Sequence, residues 1–456
     1  MNINISKYVL FTAVFFLTSL LSCKKDFLNK KPNTNIVIPS TLADMTQLLD
    51  DTNVYNTSLD IVSADEYLYT STASVKQIEK NAYVWLPDIY RGEKPISDWT
   101  LPYNRIFTAN VVLEEWEKLS EIDKNSVQGK YVKGWASFTR AFQYYSLVQL
   151  FSKAYDKSTA ESDLGMPLKL SPNVNNIEQR ASVQKTYDFI ISELESSINL
   201  FSNAFPTQNR NRPSKAAALA LLARTYLCMA EYEKALNAAN ASLSYYDQLL
   251  DYNGISKTAS KPFDRFNVEI LFYDQANQGF PSIFTGASAR TIVNSELIST
   301  YDDNDLRKVI FFSKSGQNSI IKDGYSTSAL PFKGIAVDEV YLIKAECQIR
   351  NNDKEGAVST INKLLEKRFA TGLYTPFYSD SPSVILDKIL TERRKELIWR
   401  GLRWCDLKRL NVSGANITIS RTLDGKTYTL APNDRKYVLP IPDDEIAYSR
   451  IQQNIR

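Results

Sequence analysis

The chain is predicted to be mainly α-helical, a scaffold of tetratricopeptide-like helix pairs that carries long loops and short accessory strands or hairpins. Two segments lead to that reading. In 214–244, Leu222-Ala223, Tyr226 and Ala235 stand where such a pair wants large, small, aromatic and small residues, because small residues let antiparallel helices approach closely. In 336–368, Ala345 and Ala357 repeat the separation between Ala223 and Ala235, with Asn351-Asn352-Asp353 as the turn. The two units lie 122 positions apart, which is not a multiple of a repeat of about 34 residues. An insertion, 247–333, therefore separates them.

The remaining elements follow in order. Helical periodicity covers 41–51, 103–119, 127–151 and 185–201. The third of these is crowded with Trp135, Phe138, Phe142, Tyr144, Tyr145 and Phe151, a stripe that belongs in a core. Inside the insertion the pattern changes to a short strand over 268–273, a short Asp-rich helix and turn over 295–307, and a loop at 280–286 with exposed aromatics. Near the C-terminus, 417–419 and 427–429 flank Asp424-Gly425, a hairpin signal because Gly tolerates the positive φ of the turn.

The stretch 384–410 reads as one helix, with Leu386, Leu390, Arg393, Leu397, Gly401 and Trp404 on a common stripe. A guanidinium there requires a carboxylate, so Glu392, Glu396 or Asp406 is expected to pair with Arg393. Glu392 and Glu396, a turn apart, are read as neighbours in an ion network rather than as a catalytic pair.

At the N-terminus, Lys7 precedes an apolar run from Tyr8 to Leu21 that is too short to span a bilayer and fits a signal peptide, residues 1–22. Leu20-Leu21-Ser22-Cys23 has the order of a lipoprotein cleavage site, which makes Cys23 the acylated anchor. Residues 23–40 are the lipidated N-terminus and tether. Residues 41–456 form one unit, since no Gly/Ser-rich or Pro-rich linker divides them, with its C-terminal region over 334–456. Composition excludes several chemistries. The formal charge of +3 is spread without a basic field, so nucleic acid is not a partner. Zero histidines remove Ser-His-Asp and Cys-His nucleophile systems and every His-ligated zinc site. No cofactor and no metal are expected. Cys228, Cys347 and Cys405 lie far apart in the sequence and are expected to be buried free thiols.

The order Glu392-Arg393-Arg394-x-Glu396-Leu397, then Gly401-x-Arg403-Trp404-x-Asp406-Leu407-Lys408-Arg409, resembles the closing segment of the SusD/RagB family of outer-membrane nutrient-binding lipoproteins. Tyr437-Val438-Leu439-Pro440-Ile441-Pro442-Asp443-Asp444-Glu445-Ile446 is similar to its extended Leu-x-Pro-Ile-Pro segment, and Gly165-Met166-Pro167-Leu168 to its Gly-x-Pro-Leu turn. The Asn454-Ile455-Arg456 ending departs from the family's Asn-Pro-Gly. Lys24-Lys25-Asp26 resembles the charged surface-export signal of Bacteroidetes lipoproteins, with one acid. The resemblance implies a lipid-anchored protein on the extracellular side of the outer membrane. It would hand oligomeric nutrients, most often glycans, to a SusC-like TonB-dependent transporter over which it sits as a lid, and it implies no catalysis.

Ligand residues are sought in two loop regions that combine rings with polar groups and lack helical periodicity. The first, 67–91, within an aromatic-rich stretch read as non-helical to Trp99, supplies Tyr69, Trp85, Asp88, Tyr90 and Arg91. The second, 273–284, supplies Tyr273, Phe280 and Phe284. Trp85 is the expected stacking platform. Three other readings stand beside this one: a RagB-like peptide binder, a helical-repeat adaptor for a protein partner, and a glycoside hydrolase, which would need two carboxylates roughly 5 to 10 Å apart across a cleft.

Overall fold

A computed structural model describes residues 38–50, 55–204 and 209–456. The signal peptide, Cys23 and most of the tether lie outside the described residues, and the account below concerns Ser40–Arg456. The helix pairs form as the small-residue spacing requires. Lys215–Cys228 packs on Tyr232–Tyr245 with Ala223 and Ala235 both fully buried, and Val337–Arg350 packs on Lys354–Glu366 around Ala345 and Ala357. Val127–Phe151 runs through the centre between Ser97–Glu117 and Val183–Leu200, and its aromatic stripe is core throughout. Ser126 caps it by accepting from the Gly129 N–H.

The strands are short and tie distant loops together. Tyr55–Asn56 pairs in parallel with Gln275–Ala276, and Tyr67–Tyr69 pairs antiparallel with Thr291–Val293. Thus the insertion lies directly against the N-terminal loops. The hairpin Ile419–Leu423/Lys426–Leu430 turns at Asp424-Gly425, both at positive φ. Two expectations are corrected. The stretch after Tyr67 contains a helix, Gln77–Tyr83, and the 384–410 segment is two helices, Pro382–Glu396 and Arg403–Val412. Between the latter, Trp399 and Gly401 take positive φ (64° and 72°). Gly401 is therefore a turn residue and not part of an apolar stripe: a Cβ there would collide with the ammonium of Lys333, which pairs with Asp60 on top of it.

The motif charges are buried or half-buried and pair with one another, although Arg393 Nη1 and Arg394 Nε have no hydrogen-bond partner. Arg307, with no exposed surface, donates to Asp305, to Glu396 (2.8 Å) and to Glu392 (2.5 Å). Arg368 joins Glu396 to Glu269, and Lys395 joins Glu392 to Asp305. Arg393 pairs with Asp406, as one of the three expected partners, and Arg409 bridges Asp406 to Glu346. Arg394 and Arg403 both converge on Asp65. Trp404 is fully buried against the ring of Tyr437. Unpaired, any of these charges would be expelled to water by its desolvation cost, so the network fixes how the closing helices meet the insertion and the N-terminal loops.

Arg307→Ala leaves three buried carboxylates short of a donor and is expected to cost about 3–5 kcal/mol. A thermal melt checks it, and Arg307→Lys should recover only part of the loss because the fork geometry is gone. A second expectation concerns pH. Burial pushes the Glu66 carboxyl, which accepts from the Trp399 N–H, up to about 8 from 4.5. The folded chain then holds this proton more tightly than the unfolded chain, so this group's contribution to stability falls as pH rises from about 4.5 through 8. Melting curves of Glu66→Gln should show a shallower decline over that window than the wild type.

Candidate ligand site

The predicted loops come together. Between them lies a cleft of about 390 Å³ walled by Lys76, Ile78, the 92–97 segment, Gly279 and Phe280. Ile78, Ile96 and Phe280 are buried and form its apolar floor. Lys76 crosses from one loop to the other, its Nζ donating to the Gly279 carbonyl at 2.9 Å. Glu93 and Lys94 are exposed at the rim.

The back of the cleft is held by one amide. Asn277 accepts from the Gly279 N–H (2.8 Å) and the Ser97 hydroxyl (3.3 Å), and donates to Asp98 and the Asn56 carbonyl. Asp98 in turn accepts from the backbone N–H groups of Ser58 and Leu59. Burial is the largest influence on its carboxyl and raises it to about 6. A side chain at 279 would come within 2.7 Å of Asn277 Oδ1 and 2.9 Å of Ser97 Oγ, so only glycine brings the loops this close.

The expected ligand residues divide sharply by exposure. Trp85 is 1 % exposed: its indole N–H donates to the Ser63 carbonyl at 3.0 Å and its ring faces the Arg421 guanidinium at 4.9 Å. It is core, and its role as a stacking platform is corrected accordingly. Tyr90 is buried and donates to the Pro440 carbonyl, and Tyr273 is buried, donating to the Ser326 carbonyl beneath Arg265. Phe280 is floor rather than an exposed loop ring, Phe284 is half-buried, and Tyr69 is half-buried with its ring 4.5 Å from that of Tyr83. Asp88 and Arg91 do reach solvent, linked by the Arg91 N–H donating to Asp88. The error has one cause. A loop without helical period is not thereby outside the core, and here other segments enclose its rings: Ser63 and Arg421 hold Trp85, Pro440 holds Tyr90, and Thr291–Val293 pairs with Tyr67–Tyr69. Lys76, Lys94 and Ser97 were missed. Only the Gly92 and Pro95 around the polar pair Glu93-Lys94 hinted at a shaped loop.

A larger groove of about 600 Å³ opens elsewhere, with Tyr374 and Phe377 half-buried beside Asp302, Asn304 and Lys388. None of the predicted ligand residues lines it. The carboxylates Glu269, Asp338 and Glu396 approach within 4.8 Å of one another. Arg368, Arg400 and Arg307 already donate to them, which places guanidinium groups where a metal would otherwise neutralise the charge. Glu392 and Glu396 form no catalytic pair: arginine or lysine donates to every oxygen of both, and although burial acts against ionisation, Arg307 and the adjacent lysines hold the Glu392 carboxyl down at about 2.

A helical-repeat scaffold whose inserted loops fold back over N-terminal loops defines a class, and comparison with known proteins gives that class a family. Residues 26–227 match the family described as "Starch-binding associating with outer membrane", and residues 311–455 match the SusD family. The chain belongs to the SusD/RagB family. It is 25% identical over 415 residues to the SusD-like protein P2 of Formosa agariphila, covering 76% of this chain and 77% of that protein. Its fold matches a crystal structure described as a putative sugar binding protein from Bacteroides vulgatus (TM-score 0.73, 21% identity, 92% of this chain and 99% of the other). It also matches a SusD superfamily protein from Bacteroides thetaiotaomicron (TM-score 0.73, 22% identity, 91% and 100%). Among the described residues no helix is long and apolar enough to cross a membrane.

Trp85→Ala tests the reassignment of that ring. It should cost about 3–5 kcal/mol of stability, read as a lower melting temperature, as expected for emptying a core site.

Proposed function

We propose that the chain is a cell-surface lipoprotein that binds an oligomeric nutrient, an oligosaccharide, and passes it to a SusC-like TonB-dependent transporter in the outer membrane. The observation that carries this reading is the match of both the 26–227 and 311–455 regions to SusD-type families, one of them described by starch binding at the outer membrane. The cleft between the 76–97 and 277–280 segments supports it, because it combines an apolar floor with a pair of exposed charged groups at the rim, which suits a neutral sugar. The reading places the signal peptide at 1–22, the lipid on Cys23, the tether at 23–40 and a single ligand-binding unit over 41–456, with Asp88 and Arg91 beside the rim. Catalysis is not part of it.

Calorimetry on the soluble chain lacking residues 1–23, against panels of oligosaccharides and of peptides, should yield a sugar ligand and no turnover. A peptide ligand alone would favour a RagB-like role. Glu93→Ala combined with Lys94→Ala should weaken sugar binding by about tenfold, or about 1.4 kcal/mol, while leaving the melt unchanged because both side chains are exposed. Cys23→Ala should move the protein out of the membrane fraction, and wild-type protein should carry lipid on that residue by mass spectrometry.

A further inference from the structure

Cys228 and Cys405 lie 177 positions apart, yet the fold sets their sulfurs 3.0 Å from each other. Cys228 is the last residue of Lys215–Cys228, and Cys405 stands in the first turn of Arg403–Val412. Cys228, Cys347 and Cys405 are the buried thiols that were expected, but the first and last of them, far apart in sequence, are neighbours in space. The sulfurs are about 1 Å beyond a formed bond of about 2.0 Å, and the two helix ends already pack together. We propose that this pair is a modification site, closed as a Cys228–Cys405 disulfide when the exported chain folds.

Both residues are buried, and the Tyr145 hydroxyl lies 3.4 Å from Cys228 Sγ and 3.8 Å from Cys405 Sγ. The Lys408 ammonium, one turn beyond Cys405, donates to the Gln149 and Ser152 carbonyls and adds positive potential nearby. In the closed core, hydrogen bonding with Cys405 and with Tyr145 holds the Cys228 thiol below its ordinary range. The oxidant is the disulfide of a thiol oxidoreductase of the cell envelope. Cys228 loses its proton and attacks one sulfur of that disulfide, releasing a donor thiol and forming a mixed disulfide. Cys405 loses its proton and attacks Cys228 Sγ, releasing the second donor thiol. Two protein thiols become one disulfide, and two electrons pass to the donor, which leaves as two thiols. Both sulfurs must meet the oxidant before the core closes over them. Cys347 has no such neighbour: burial, together with the adjacent Glu346 carboxylate, pushes its thiol far up, and it remains a thiol.

The bond would staple the first helix pair to the motif-bearing closing segment across a long loop, which is where a crosslink constrains the unfolded chain most. The proposal rests on export, because reducing compartments keep thiols free. Full-length protein from the membrane fraction is acid-quenched, denatured without reductant, alkylated, and analysed by peptide mass spectrometry. A peptide pair joined through Cys228 and Cys405, lighter by two hydrogens than the separate peptides, with Cys347 alkylated, is the expected result. A chain lipidated on Cys23 with both Cys228 and Cys405 alkylated overturns the disulfide and leaves the export reading standing. A chain without lipid overturns the export reading instead. The bond is then tested by refolding the soluble chain with oxidised glutathione, where failure of the same pair to crosslink overturns it. The crosslinked chain should melt roughly 5 °C above both its reduced form and the Cys228→Ser/Cys405→Ser variant. Equal melting temperatures would show that the bond carries no structural load and would overturn the stapling role.

Discussion

A set of buried charges, several of them shared among two or three partners, decides how the distant parts of this chain meet. Arg307 and Arg368 are both fully buried, and together they gather carboxylates from the insertion (Glu269, Asp305) and from the closing helix (Glu392, Glu396). Asp65, in the N-terminal loops, is claimed by Arg394 and Arg403 from either side of the turn at Trp399 and Gly401. An apolar core tolerates sliding and repacking of similar shapes, whereas a buried guanidinium accepts only positions that meet its donors. The helix pairs supply bulk burial. The charges supply register.

That division explains what the sequence disclosed. Periodic features were legible: the helix 127–151, the two small-residue helix pairs, the Asp-Gly hairpin, and a short set of carboxylates, Glu392, Glu396 and Asp406, from which the fold selects Asp406 for Arg393. Each of them depends on neighbours close in sequence or on a repeating period. The break at 397–402 was not legible, because its cause is tertiary. Gly401 is needed to make room for Lys333, which arrives from 68 positions away, and Glu66 reaches the Trp399 N–H across 333.

The ligand site divides in the same way. That loops 67–91 and 273–284 belong together was foreseeable from their composition, and hydrogen bonds from Lys76 to the Gly279 carbonyl and from the Ser282 N–H to Glu79 do join them. Which rings stay exposed was not. Trp85 found a carbonyl partner and a guanidinium over its face, conditions set by Ser63 and Arg421, and went inward. The polar rim residues carry no periodic or compositional mark. Their position follows from Gly279 and Asn277 drawing two loops to within a hydrogen bond.

The central claim is that a charge-locked scaffold presents a polar cleft on its loops, and that the lock itself takes no part in recognition. Hydrogen–deuterium exchange of the soluble chain, with and without a bound oligosaccharide, tests this most directly. The account predicts that ligand protection appears at 76–78, 91–97 and 277–281, while 382–412 exchanges slowly and equally in both states. Protection confined to 299–304 and 369–377, or ligand-dependent exchange within 382–412, would contradict it.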